Sequence, residues 1–64
     1  MRDMNRILRI VELFERCWLK TPDMSAGQLI ENIKLFSGVD DLSHMEDDIF
    51  EAVLKEFYKA CPFD

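Results

Sequence analysis

The sequence has few of the residues that build catalytic, metal and disulfide sites. Its 64 residues include one histidine, two cysteines, two glycines and two prolines. Cys17 and Cys61 are too few for a disulfide scaffold, and they lack the close spacing of metal ligands. We therefore expect both to be reduced thiols of a cytoplasmic protein.

Long apolar runs are absent as well. No segment approaches the roughly 18 uninterrupted apolar residues of a membrane span, so none is expected to cross a bilayer. Arg2, Asp3, Arg6 and Arg9 interrupt the apolar residues at the beginning of the chain, so no signal peptide is expected there.

Basic residues are scarce after the first third of the chain. Residues 1–20 contain five basic and three acidic side chains, a net charge of +2. Residues 21–64 contain three basic and ten acidic side chains, a net charge of −7, which gives −5 overall. Because affinity for phosphate groups comes from Lys and Arg, direct binding to nucleic acid or to an anionic membrane is not expected.

The length of the chain limits the kind of site that it can build. A domain of this size buries only about 60% of its unfolded surface, which leaves little room for an enclosed active-site cleft. The hydrophobic fraction of 48% is nevertheless too high for a disordered chain. We therefore predict that residues 1–64 form a single folded domain with a small core.

Apolar residues recur with the period of an α-helix in three segments. The predicted helices span approximately residues 5–19, 25–37 and 46–60. Leu13 and Leu35 fall off the apolar faces and are expected to be exposed or to contact a partner. The three predicted core faces consist of Met4, Ile7, Leu8, Ile10, Val11, Phe14, Cys17 and Trp18, then Ala26, Leu29, Ile30, Ile33 and Phe36, then Phe50, Val53, Leu54, Phe57, Ala60 and Cys61.

Proline, glycine and capping residues mark the ends of the first two helices. Pro22 disfavours the helical conformation of the residue before it and so ends the first helix. Ser25 and Gln28 match a capping box at the start of the second helix. Gly38 suits the left-handed conformation that commonly ends a helix.

The third helix has two possible starting points. Ser43 and Glu46 match a second capping box, which places the start close to Ser43. If the helix starts later, Glu46 or Asp47 is the cap. Residues 39–45 are too few for a further helix, so we interpret them as a packed turn.

Three amphipathic helices with short links predict an all-α fold, a compact three-helix bundle. If the chain runs up-down-up, the first and third helices are parallel and their C-terminal ends meet. This arrangement brings Cys17 and Cys61 to the same end of the bundle as near neighbours.

Short matches between residues 6 and 54 carry a family resemblance. They are Trp18, Lys20, Pro22-Asp23, Gln28-Leu29, Gly38, Leu42 and Asp47-Asp48-Ile49. In these residues the chain resembles the YihD-like family of short uncharacterised bacterial proteins, although those proteins continue further beyond the third helix. The resemblance implies a small, mostly helical cytoplasmic bacterial protein and supplies no activity.

The single histidine gives little support for a metal or catalytic site. His44 and Asp48 lie four residues apart, but their spacing matches neither a zinc signature nor an EF-hand loop. Ser25, Ser37 and Ser43 stand where helix caps and turns favour serine. We therefore predict no catalytic, metal-binding or cofactor-binding residues and a protein that is not an enzyme.

The strongest local charge lies in residues 38–51, which we call the acidic turn. It contains no Lys or Arg and six carboxylates: Asp40, Asp41, Glu46, Asp47, Asp48 and Glu51. Acidic residues in the first turn of a helix complement its dipole, so part of this charge is ordinary capping. One or two carboxylates are enough for capping, and six within twelve residues cost some stability because like charges repel. Solvated capping and a partner-binding patch formed by all six residues are both open at this point.

The leading hypothesis is a small non-enzymatic interaction module whose acidic turn docks on a basic surface of a partner protein. A sharper version is an inhibitor that mimics the charge of DNA and occupies the site of a nucleic-acid-binding or phage-defence protein. The alternative is a homodimerising structural domain, in which apolar residues left outside the core pack against a second copy. No cofactor, nucleic acid or membrane is expected as a partner.

Overall fold

The computed structural model describes residues 3–60, which contain three α-helices and one short 3₁₀ helix. Helix α1 spans Asn5–Lys20, α2 spans Ala26–Ser37, and α3 spans Asp47–Ala60, while the 3₁₀ helix covers Leu42–His44. No strand occurs in this part of the chain. The predicted all-α three-helix fold is therefore confirmed, and each observed helix boundary lies within one residue of the predicted one.

Helices α1 and α3 lie side by side and run in the same direction. Near their N-terminal ends, Arg6 Nε lies 2.7 Å from Asp47 Oδ2. Near their C-terminal ends, Lys20 Nζ donates a hydrogen bond to the Tyr58 carbonyl at 3.2 Å. The N-terminal end of α1 therefore contacts the N-terminal end of α3, and the C-terminal ends contact each other, which confirms the predicted parallel arrangement. The predicted proximity of Cys61 to α1 concerns a residue outside those that the structure describes.

Four fully buried side chains form the centre of the core. They come from all three α-helices and are Cys17, Leu29, Ile33 and Leu54. The half-buried side chains packed around them are Ile10, Leu13, Phe14, Met24, Phe50, Val53, Phe57 and Tyr58. The Cys17 thiol donates to the Leu54 carbonyl at 3.6 Å, so a polar contact also joins α1 to α3 inside the core.

The face that α1 turns toward the core differs from the predicted one. Leu13, predicted to lie off the core face, is half-buried and packs against the core. Val11, predicted to lie on that face, is 61% exposed. The apolar arc of α1 is wider than α3 can cover, and α3 packs on the side that carries Leu13 and Cys17. The predicted core residues that the structure leaves exposed are Met4, Ile7, Leu8, Val11, Trp18, Ile30, Phe36 and Ala60.

Two of the predicted helix ends are confirmed in detail. The Ser25 hydroxyl accepts from the Gln28 amide at 3.2 Å, and the Gln28 side chain accepts from the Ser25 amide at 3.0 Å, which completes the capping box. Gly38 ends α2 with a φ of 78°, a left-handed conformation in which glycine has no Cβ to clash.

The predicted capping box of Ser43 and Glu46 is wrong. Ser43 lies inside the 3₁₀ helix, whose first turn is capped by the Asp41 side chain instead. Helix α3 begins at Asp47, and the Glu46 carbonyl accepts from the Phe50 amide at 2.9 Å. The later of the two predicted starts is therefore correct, because Ser43 belongs to the 3₁₀ helix Leu42–His44, which ends before α3 begins.

Truncating the core should cost far more than truncating an exposed leucine. Leu54 is fully buried, whereas Leu35 is 67% exposed, as its off-pattern position predicts. We expect Leu54→Ala to lower the free energy of unfolding by about 2–5 kcal/mol, and Leu35→Ala to lower it by less than about 0.5 kcal/mol. Both changes replace a helical leucine by alanine, so urea unfolding followed by circular dichroism compares them directly. Equal losses would contradict the observed core.

Candidate functional site

The acidic turn divides into two parts in the structure. Its first part runs from Gly38 through the 3₁₀ helix to Glu46, and its second part is the first turns of α3. The two parts place the six predicted partner-binding carboxylates in different surroundings. Two carboxylates face α1, one caps the 3₁₀ helix, and three extend from the turn without an ion pair among residues 3–60.

Asp47 and Glu51 are engaged by the arginines of α1. Arg6 Nε lies 2.7 Å from Asp47 Oδ2. Arg9 holds Glu51 with two contacts, Nε to Oε2 at 3.0 Å and Nη2 to Oε1 at 3.4 Å. The Glu51 side chain is only 14% exposed, and Lys55 Nζ lies 3.9 Å from it. These two carboxylates therefore brace α3 against α1.

The electrostatics of Arg9 follow from this bracing. Its hydrogen bonds to Glu51 and, secondly, to Asp3 raise the pKa of the Arg9 guanidinium above its ordinary value. The pKa of Asp3 is lowered in turn, first by the hydrogen bond from the Asn5 amide and then by Arg9. The three arginines of α1, Arg6, Arg9 and Arg16, thus meet acidic partners within the chain, which lowers their availability to phosphate.

The sequence carries a signal for these pairs that the periodicity of each helix alone does not show. Arg6 and Arg9 are three residues apart on one helix, and Asp47 and Glu51 are four residues apart on another. Side chains with these spacings share a helix face. If the two helices are parallel, these opposite charges lie at corresponding positions along the helix axes, which predicts contacts between the arginines and the carboxylates.

Asp41 organises the turn between α2 and α3. Its Oδ1 accepts a hydrogen bond from the Ser43 amide at 2.9 Å, and its Oδ2 lies 3.5 Å from His44 Nε2. The Ser43 amide, then the Ser43 hydroxyl and the charge of Lys34, lower the pKa of the Asp41 carboxyl below its ordinary value. Asp41 is therefore both a structural cap and a persistent negative charge.

Three of the six carboxylates, Asp40, Asp41 and Glu46, line a shallow depression of about 430 Å³. Asp40 and Glu46 stand on its rim beside Asp41, and Ile49, which is 53% exposed, contributes to its apolar lining. Asp48 lies outside the lining and accepts from the Ile49 amide at 2.9 Å. The full lining consists of Val39, Asp40, Asp41, His44, Met45, Glu46 and Ile49. Such a surface can accept an aliphatic chain that ends in a positive charge.

No protein-family model, curated protein or solved structure matches the chain. The resemblance to the YihD-like family therefore stays an expectation from the sequence and supports no assignment of function. Between residues 3 and 60, no helix is long and apolar enough to cross a membrane. In the same residues, no three His, Cys, Asp or Glu side chains are grouped as ligands for a metal ion.

The ion pair between Arg6 and Asp47 should contribute measurably to stability. A double-mutant cycle with Arg6→Ala and Asp47→Ala should give a coupling energy of about 0.2–1 kcal/mol that decreases in concentrated salt. The cycle isolates this pair from the other contacts of each residue. Urea unfolding of the four proteins measures it, and Glu12→Ala with Arg16→Ala provides a reference pair within α1. Zero coupling for Arg6 and Asp47 would contradict an interhelical brace.

The lowered pKa of Asp41 should appear in the acid stability of the protein. Its ordinary value is 3.8, and its value in the folded protein is lower. The stabilisation is therefore present above the unfolded-state value and is lost as the pH falls through the folded-state value. The urea midpoint of the wild type should decline between about pH 5 and about pH 2, a window that includes the ordinary pKa of an aspartate. We expect Asp41→Asn to make this decline less steep. Asp23→Asn, which removes a carboxylate outside the turn, should retain that decline.

Proposed function

We propose that the protein is a non-enzymatic, cytoplasmic interaction module that docks its acidic turn on a basic surface of a partner protein. The observation that carries the proposal is the depression in which Asp40, Asp41 and Glu46 border an apolar lining. Lys and Arg side chains combine an aliphatic stem with a charged head, so they match both components of this surface.

The proposal rests on four of the six carboxylates of the acidic turn. Asp47 and Glu51 already have arginine partners within the chain, so their charge is partly compensated before any partner arrives. Asp40, Asp41 and Glu46 line the depression, and Asp48 lies next to it on the first turn of α3. We therefore assign the docking surface to these four residues rather than to all six.

The sharper form of the proposal is an inhibitor that mimics the charge of DNA. In this form, exposed carboxylates of the turn take the places of phosphates in the site of a nucleic-acid-binding or phage-defence protein. The negative charge of the chain and the compensation of its α1 arginines support this form, since both oppose binding to DNA itself. DNA should then compete with the protein for the partner.

The second candidate function is a homodimerising structural domain. The exposed apolar residues on α1, including Val11, favour it, because a second copy could cover them. The two functions differ in their response to salt. Binding through carboxylates weakens as salt screens charge, whereas apolar self-association persists or strengthens.

Neutralising the depression should release the partner. We expect the triple variant Asp40→Asn, Asp41→Asn and Glu46→Gln to lose at least about tenfold in affinity, roughly 1.4 kcal/mol. The partner is first captured from an extract of the source cells and identified by mass spectrometry, and its affinity is then measured with purified proteins.

A second triple variant is the matched control for net charge. Asp23→Asn, Glu31→Gln and Glu56→Gln remove the same number of exposed carboxylates outside the depression. We expect this control to keep the affinity of the wild type within about twofold, which corresponds to about 0.4 kcal/mol. If both triple variants weaken binding equally, the depression is not the docking surface.

A further inference from the structure

Helix α1 has a second apolar face that no other described element covers. Its first face packs on α3 around Cys17. Beside it, Leu8 and Leu19 are each 69% exposed, and Val11 and Trp18 are exposed between them. Isolated exposed apolar residues are ordinary, but several on one side of a helix can mark an interaction surface.

The second face borders two depressions, which together we call the α1 groove. It consists of two adjoining depressions of about 450 and 380 Å³ that share Val11 and Phe14. One extends to Pro22, and the other extends to Ile30 of α2 and to Leu42. From Ile10 to Pro22 the chain advances by roughly 18 Å at 1.5 Å per residue, which is the length of about three helical turns.

The aromatic side chains of the α1 groove are held in place. Trp18 Nε1 donates to the Met24 carbonyl at 2.7 Å. The rings of Phe14 and Trp18 meet edge to face, with centroids 6.1 Å apart. The indole N–H is therefore satisfied within the chain, and the ring presents its apolar surface in a fixed orientation. An ordered tryptophan loses little conformational freedom on binding, which is why tryptophan is common among residues that dominate interfaces.

Charge distinguishes among the possible occupants of the groove. Among residues 3–60, the charged residues in its lining are Glu15 and Asp47, and no Lys or Arg of this part of the chain lines either depression. Asp47 is paired with Arg6, so Glu15 supplies most of the unbalanced charge. A second copy carries the same net charge of −5, so two copies repel each other. A partner with basic residues beside its apolar ones is complementary instead.

From these observations we infer that the α1 groove binds one amphipathic helix of a partner protein. The helix is about three turns long, and its apolar stripe is flanked by Lys or Arg. Helices of this kind dock in grooves through apolar side chains at intervals of three and four residues. This inference rests on the proposed function in assuming a basic protein partner, but it uses a different surface, which borders the acidic depression at Met45.

A synthetic helix tests the inference directly. The probe is a peptide of about 12 residues with a leucine stripe, lysine flanks and no tryptophan, which matches the groove length. Trp18 is the only tryptophan in the chain, so its emission reports occupancy of the groove. At about 0.15 M salt, we expect a saturable blue shift with one peptide bound per protein. A peptide with glutamate flanks should bind at least about tenfold more weakly, because it repels Glu15.

Matched variants locate the binding site. Val11→Asp places a charge in the groove and should weaken the lysine-flanked peptide at least about tenfold. Leu35→Asp makes a similar change at an exposed residue outside the groove lining and should leave its affinity unchanged. Both residues are exposed, so both variants should keep the helical circular dichroism of the wild type. Glu15→Gln should weaken binding about two- to fivefold, the range of an exposed ion pair.

Three results would overturn the inference. They are an unchanged affinity of Val11→Asp, equal affinities for the two peptides, and a wild-type dimer in light scattering that Val11→Asp dissociates. The triple variant of Asp40, Asp41 and Glu46 separates this inference from the proposed function. It should lose the captured partner and still bind the peptide through the groove. If Val11→Asp keeps the peptide while the triple variant loses the partner, only the groove inference fails.

Discussion

The parallel pairing of α1 with α3 is the constraint on which the rest of the structure depends. The two arginine–carboxylate contacts join the N-terminal ends of the helices, and the Cys17–Leu54 contact joins them inside the core. Burial of apolar side chains such as Leu54 supplies most of the energy at this interface, since exposed ion pairs contribute about 1 kcal/mol or less. The charged contacts mainly fix which faces of the two helices meet.

This pairing also determines which surfaces stay exposed. The apolar arc of α1 is broader than one neighbouring helix can cover, so packing on α3 through Leu13 and Cys17 leaves Val11 and Leu19 outside. Only four side chains in the described part of the chain are fully buried. A domain this small has little apolar burial in reserve. Folding alone does not account for an exposed apolar face on α1, and a bound helix would cover that face.

Much of the fold could be predicted from the sequence, because local signals determine it. Pro22, Gly38 and the Ser25–Gln28 capping box act on their immediate neighbours, and they set the helix ends within one residue. The choice of core face could not be predicted in the same way. The periodicity of α1 shows a broad apolar arc, but the part that is buried depends on where α3 packs, which involves contacts more than 35 residues away in sequence.

The candidate site shows the same division between local and distant information. The sequence shows six carboxylates close together, and their helix-capping role is local. Asp41 caps the 3₁₀ helix, whereas Ser43, predicted to cap the third helix, lies inside the 3₁₀ helix. The charges of Asp47 and Glu51 are compensated by Arg6 and Arg9, which are far away in sequence. The acidic turn therefore has two physical roles, which a count of its charges does not distinguish. Asp47 and Glu51 hold the helices in register, and the carboxylates around the depression are left with their charge directed outward. The proposed interaction with a basic partner would use the carboxylates around the depression. Withdrawing Asp47 and Glu51 from their arginines would weaken the fold that positions both groups of carboxylates.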